Sequence, residues 1–333
     1  MGGAPLGARA LARRGLLALG LGAGLSLLVG RGGLGAAEAL GALLEGPWGE
    51  GRAALIVWWV RLPQLLTAAV VGATLGLSGA ATQSLLRNQL ADPYLLGVSA
   101  GGGLCAALAI SAGLDERLGP WAPPALSFCG ALAASAAVYG WARGGRGLGA
   151  EALLLSGVAL NLALSAALTL VISLSGERLG GVWRWLLGRV DGLSWAEVGA
   201  LSLPAAVGAA LLLRARRDLW LLEAGEEVAW TLGVEVERVK RVTLLAVALS
   251  VGAAVAFCGV IGFVGLLAPH AVRPRLRGEG AWLLPLSALW GAAGLCACDA
   301  LGRLTPSPLP IGAVTGLLGG AALLAALRRG ARA

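Results

Sequence analysis

Apolar residues in this chain follow neither the alternation of half-buried strands nor the narrow stripe of surface helices. They form solid, nearly charge-free runs such as TAAVVGATLGLSGAA, separated by short, arginine-rich polar stretches. A helix crossing a bilayer needs roughly 20 apolar residues, whereas a transmembrane barrel needs alternating polar and apolar positions. The pattern therefore predicts membrane helices. Ten segments stand out, at about 11–30, 53–86, 93–111, 119–141, 151–174, 193–213, 239–257, 259–268, 281–299 and 311–327. The second is too long for one perpendicular crossing, which predicts tilt or extension beyond the bilayer. The eighth is too short to cross alone and must be shielded by its neighbours. No stretch remains for a separate soluble domain, so residues 1–333 read as one all-α integral membrane domain.

Composition strengthens this reading. Apolar residues are 57% of the chain and charged ones 13%, against roughly 25% charged in ordinary soluble domains. The 54 glycines suit helices that approach closely. The net charge of +8 does not point to nucleic acid, because the basic residues lie in short loops between apolar runs. Ten spans with a cytoplasmic N-terminus put most of them inside, as the positive-inside rule requires, among them Arg87, Arg143, Arg146, Arg214, Arg273, Arg277, Arg328 and Arg332. Both termini are then cytoplasmic. The first segment has a second reading as a signal peptide, since Arg9, Arg13 and Arg14 precede it and small residues follow; a retained helix keeps the span number even.

Candidate chemistry is sparse. There is no phosphate-binding GxxxxGK[ST] loop, and the chain's one lysine, Lys240, sits in ERVKR without glycines. The five cysteines all lie in apolar stretches without a CxxC, and one histidine cannot build a histidine metal site. Ser99 in GVSAGGG has no partner histidine in view and the wrong flanks for a nucleophile elbow. Acidic residues are mostly in loops, and exceptions such as Asp299 lie near span ends, which disfavours an ion-coupled transporter. A membrane-embedded enzyme would need a convergent catalytic set that is not found. No catalytic residue, metal or cofactor is assigned.

Four local patterns carry more. Arg61 interrupts LIVWWVRLPQ, so it either snorkels to headgroups or offers an outward basic contact to an acidic partner; Arg303, near Asp299 in the last outside loop, has the same two readings. In LLRNQLADPYLLG, Asp92 and Pro93 predict a capped helix start. The largest inside loop, about 214–238, holds EAGEEVAWTLGV, where Gly225 starts a turn, Gly233 ends a helix, and Val228 and Leu232 share a face. It reads as a solvated connector or as a short helix that docks on a partner. Pro269 predicts the end of the eighth helix at about Ala268, with His270 a structural, hydrogen-bonding residue beyond it.

The segments RLPQLLTAAVVGATLGLSGAATQSLLRNQLADPYLLGVSAGGG, GVIGFVGLLAPHAVR, LLPLSALWGA and PLPIGAVTGLLGG, with AGEEVAWTLGV between them, resemble the iron-chelate/cobalamin ABC importer permeases, the FecCD/BtuC-like family, over nearly all the chain. The resemblance implies a BtuC-like permease fold of ten transmembrane helices in the bacterial inner membrane. It implies a second permease copy (a homodimer or a close paralogue), two separate ATP-binding subunits, and a periplasmic or lipid-anchored substrate-binding protein. Cargo would be a metal chelate, with a ferric siderophore ranked before cobalamin and haem. By position, Arg61 and Arg303 would dock the binding protein. Gly225, Glu226, Glu227, Val228, Ala229, Leu232 and Gly233 would form the ATPase coupling loop, and Asn88 and Leu90 would belong to the cytoplasmic gate, whose mouth the loop around Gly149–Glu151 shares. Gln64 stands where many relatives carry a second arginine, Gln89 where they carry proline, and Ala224 and Trp230 depart from the coupling-loop pattern.

Overall fold

The computed structural model describes residues 6–28, 34–49, 51–144, 147–276, 280–304 and 309–330; Arg146, Arg277 and Arg332 of the basic loops lie outside them. Ten helices answer to the ten predicted segments: α1 (Leu6–Leu28), α2 (Leu62–Leu86), α3 (Val98–Ser111), α4 (Ala122–Ala142), α5 (Ala150–Leu174), α6 (Trp195–Arg214), α7 (Val236–Cys258), α8 (Val264–Val272), α9 (Leu283–Gly302) and α10 (Ile311–Gly330). Among the described residues, seven helical stretches are long and apolar enough to cross a membrane; α3, α8 and the apolar part of α10 (Ile311–Leu324) are shorter. The paired strands among the described residues are two-residue pieces, Arg143–Gly144 and Gly147–Leu148.

α2 is the axle of the bundle. Its glycines Gly72, Gly76 and Gly79 fall on one face at spacings of four and three, the arrangement that brings membrane helices into backbone contact. A Cβ on Gly72 would strike the Gly291 carbonyl, and one on Gly76 the Ser287 carbonyl, both on α9. A Cβ on Gly79 would overlap the carbonyl of Gly265 on α8. α7 is the most enclosed span and α5 the least, with 72% and 6% of their apolar windows buried.

The eighth helix corrects the sequence reading. It begins at Val264 and runs through Pro269 to Val272, so Pro269 does not end it. Pro269 has no amide hydrogen to give the Gly265 carbonyl, and the ring normally clashes there. That carbonyl is instead pressed against Gly79 of α2, where a weak Cα–H···O contact is available. Residues 259–263, predicted helical, are an irregular link in which Gly259 and Phe263 hold positive φ (68° each). A helix at Ala36–Glu45 was also not predicted; its buried Ala39 and Ala42 pack on Val57.

Candidate functional site

α2 carries a polar cluster at each end. The first begins with Pro63. It has no amide to give the Trp59 carbonyl one turn back, and the preceding turn, Val57–Arg61, widens into a π-helix in which the Leu62 amide bonds to the Val57 carbonyl instead of to that of Trp58. π-turns concentrate at functional sites. The Trp195 indole donates to the Trp58 carbonyl (2.9 Å), and the Trp58 indole donates to the Ala42 carbonyl (3.0 Å).

This turn aims Arg61 at the end of α1. Only 2% exposed, its guanidinium donates to the carbonyl of Leu27, with that of Leu28 at 3.5 Å. Arg303 donates to the Ser26 carbonyl (2.9 Å) and pairs with Asp299 one turn back on α9. Carbonyls of a last helical turn lack intrahelical donors and carry partial negative charge, so the two arginines cap α1. Asp299 is the hub: it accepts from the Ser26 hydroxyl (2.9 Å) and the Gln64 amide (2.8 Å) while holding Arg303. Arg61, Gln64, Asp299 and Arg303 then line a cavity of about 660 Å³ with Arg184, Arg189 and Asp191. Arg61 and Arg303 thus share one cavity wall, and both are already engaged within the chain. Sequence reasoning missed Asp299 as hub; its signal was an acid four residues before an arginine on an otherwise uncharged helix.

The other end of α2 closes with Arg87 in the left-handed region (φ 49°), the Asn88 amide reaching back to the Gln83 carbonyl. Exposed Asn88 accepts from the Leu90 amide (2.9 Å), and Leu90 is itself exposed. Asp92 accepts from the Tyr94 amide (2.9 Å), as its capping pattern predicts; burial pushes its carboxyl up to about 6, against the pull of that bond. Asp92 and Tyr94 line a second cavity of about 550 Å³ with Ser99, Asn161 and Phe263.

Beside this end lie two short helices, Arg216–Glu223 and Glu226–Thr231. Glu223 ties the first to the bundle, accepting from Ser84 of α2 (2.5 Å) and from Arg273 (2.9 Å). The second is bracketed by Gly225 (φ 122°) and Gly233 (φ 84°), conformations that other residues rarely adopt. Ala229 is its buried anchor, while Val228, Trp230 and Leu232 are exposed. Glu227 is exposed, and Glu226 reaches Lys240 at 2.7 Å. Lys240, 2% exposed, also donates to the Leu148 carbonyl and lies 3.4 Å from Glu237. Sequence reasoning used Lys240 only to exclude a phosphate loop; being the one lysine beside 25 arginines was the signal of a further role.

Comparison with known proteins matches residues 18–329 to the FecCD transport family. The chain is similar to the cobalamin import system permease protein BtuC of Halobacterium salinarum, 41% identical over 83% of this chain and 74% of that one. It is similar to the Fe(3+)-citrate import system permease protein YfmD of Bacillus subtilis, 35% identical over 93% and 91%. Among solved structures, an inward-facing conformation of a metal-chelate type ABC transporter superposes with a TM-score of 0.85 at 28% identity, covering 96% of this chain and 99% of that one.

Proposed function

The chain belongs to the FecCD transport family, and from that premise we propose that it is the membrane-spanning permease of an ATP-driven importer of metal chelates. Two copies, or this chain with a close paralogue, enclose the path. Two ATP-binding subunits dock on the 226–231 helix, and a substrate-binding protein delivers cargo at the arginine-lined cavity. The chain lies in the cytoplasmic membrane with both termini inside, the orientation favoured by its basic loops. Gly225 to Gly233 form the coupling loop, Asn88 and Leu90 belong to the inner gate, and Arg61 and Arg303 meet carboxylates of the binding protein. Cargo is a ferric chelate of the siderophore type, ahead of cobalamin and haem; the Fe(3+)-citrate import named for one relative is of that chelate class, and the cobalamin import named for another is the runner-up.

One observation carries the reading: a six-residue helix, fixed between two glycines of positive φ, presents Val228, Trp230 and Leu232 to solvent. Exposed apolar clusters of this kind mark interaction sites. The permease itself performs no bond chemistry, so energy enters as a difference in docking between two ATPase states. The test is reconstitution in vesicles with the ATPase and binding-protein subunits. Uptake of a ferric siderophore, cobalamin or hemin is expected only when ATP and an active ATPase are both present. Accumulation by the chain alone, or driven by an ion gradient, would overturn the reading.

A further inference from the structure

We propose that Lys240 is the positioning residue that passes movement of the 226–231 helix to the start of α5. It stands on α7, one turn after Glu237, where the short helix reaches it through Glu226 and the link between α4 and α5 through Leu148. An ammonium has three hydrogens and no acceptor, and the three partners around Nζ match them. Leu148 is held from both sides, because its amide donates to Glu237 (3.1 Å) while its carbonyl receives Lys240. It is 1% exposed and lies two residues before α5 begins.

The arrangement has the features of a relay. Glu226 stands in the first turn of the short helix, so a tilt of that helix displaces the carboxylate bonded to Nζ. The lysine head is buried and cannot exchange that partner freely for water. Displacement is therefore passed to the Leu148 carbonyl and to the α5 start. α5 is also the span least enclosed by its own chain. An arginine, with its planar fork, would not converge on three partners from one atom; the chain's sole lysine lies where a compact cation is needed.

This inference rests on the proposed docking of an ATPase on the 226–231 helix, and the experiment separates the two. Hydrogen exchange is measured by mass spectrometry on the full chain in complex with its ATPase, nucleotide-free and trapped with ATP and vanadate. In the wild type, segments 225–233 and 148–153 should both change protection between the two states, by about five-fold or more. In Lys240→Met, 225–233 should still respond while 148–153 no longer does, and ATP turnover should continue. A passive strut would instead lose both responses together. Response of both segments in Lys240→Met would overturn the inference. No response at 225–233 in the wild type would overturn the docking reading itself. If Lys240→Met does not assemble, Lys240→Arg, which keeps the charge but not the convergence of three partners on one atom, must give the same split; both segments responding there overturns the inference equally.

Discussion

Arg61 of α2 and Arg303 of α9 converge on the last turn of α1, the first donating to the Leu27 carbonyl and the second to that of Ser26. The two cations are therefore held before any partner arrives. A pre-positioned charge loses little freedom when it meets a carboxylate, which suits a docking role. Changing Arg61 and Arg303 to glutamate should weaken binding-protein affinity about ten-fold at low salt, with the difference shrinking as salt is raised. Surface-immobilised permease complex titrated with binding protein reads this directly, and an unchanged affinity would remove the cavity as the dock.

Asp299 holds groups from three helices, so its removal should cost more than an ordinary surface change. Asp299→Leu strands the Arg303 guanidinium and leaves Ser26 and Gln64 without their acceptor. Losing one partner of a buried pair typically costs about 3–5 kcal/mol. A markedly lower thermal midpoint in detergent is expected, with Asp299→Asn intermediate because it still accepts from Ser26.

Val228 and Leu232 are 45% and 60% exposed, so aspartate at both should leave the fold intact. Uptake should be lost while the thermal midpoint stays near the wild type. Coupled uptake at normal rates would show that this helix is not the ATPase contact.

Gly79 and Gly199 provide a matched pair. A Cβ at Gly79 overlaps backbone of α8, whereas one at Gly199 meets nothing within 4 Å. Gly79→Ala should destabilise by about 1–3 kcal/mol through overpacking, and Gly199→Ala should be neutral or slightly stabilising. Thermal unfolding of the two variants side by side checks this.

Trp195→Phe keeps most of the apolar contact but removes the donor that serves the Trp58 carbonyl in place of the Leu62 amide, which bonds to Val57 instead. The Trp58 carbonyl then lacks its indole partner, which should cost about 0.5–1.5 kcal/mol, read as a lower thermal midpoint.

Much of this was legible in the sequence because membrane helices announce themselves through long apolar runs. The gly-bracketed helix at Glu226–Thr231 was legible too, since Gly225 and Gly233 mark its limits. Pro269 misled because a local rule lost to a tertiary contact: the carbonyl that a proline strands is harmless when Gly79 of another helix lies against it. Gln64 looked like a missing cation, whereas in the fold it holds Asp299. Two of the partners of Lys240, Glu226 and Leu148, could not be seen, because they come from other segments that only the fold brings to α7; Glu237 is one turn back on the same helix.

The nine residues of α8 also bear on how the protein is made. Lipid alone gives so short a helix no stable place, and its stranded Gly265 carbonyl is tolerable only against Gly79. The ribosome delivers α2 long before α8, so the receiving surface is in the bilayer ahead of the piece that needs it. A circular permutant that releases α8 first would send that piece into the membrane with nothing to receive it.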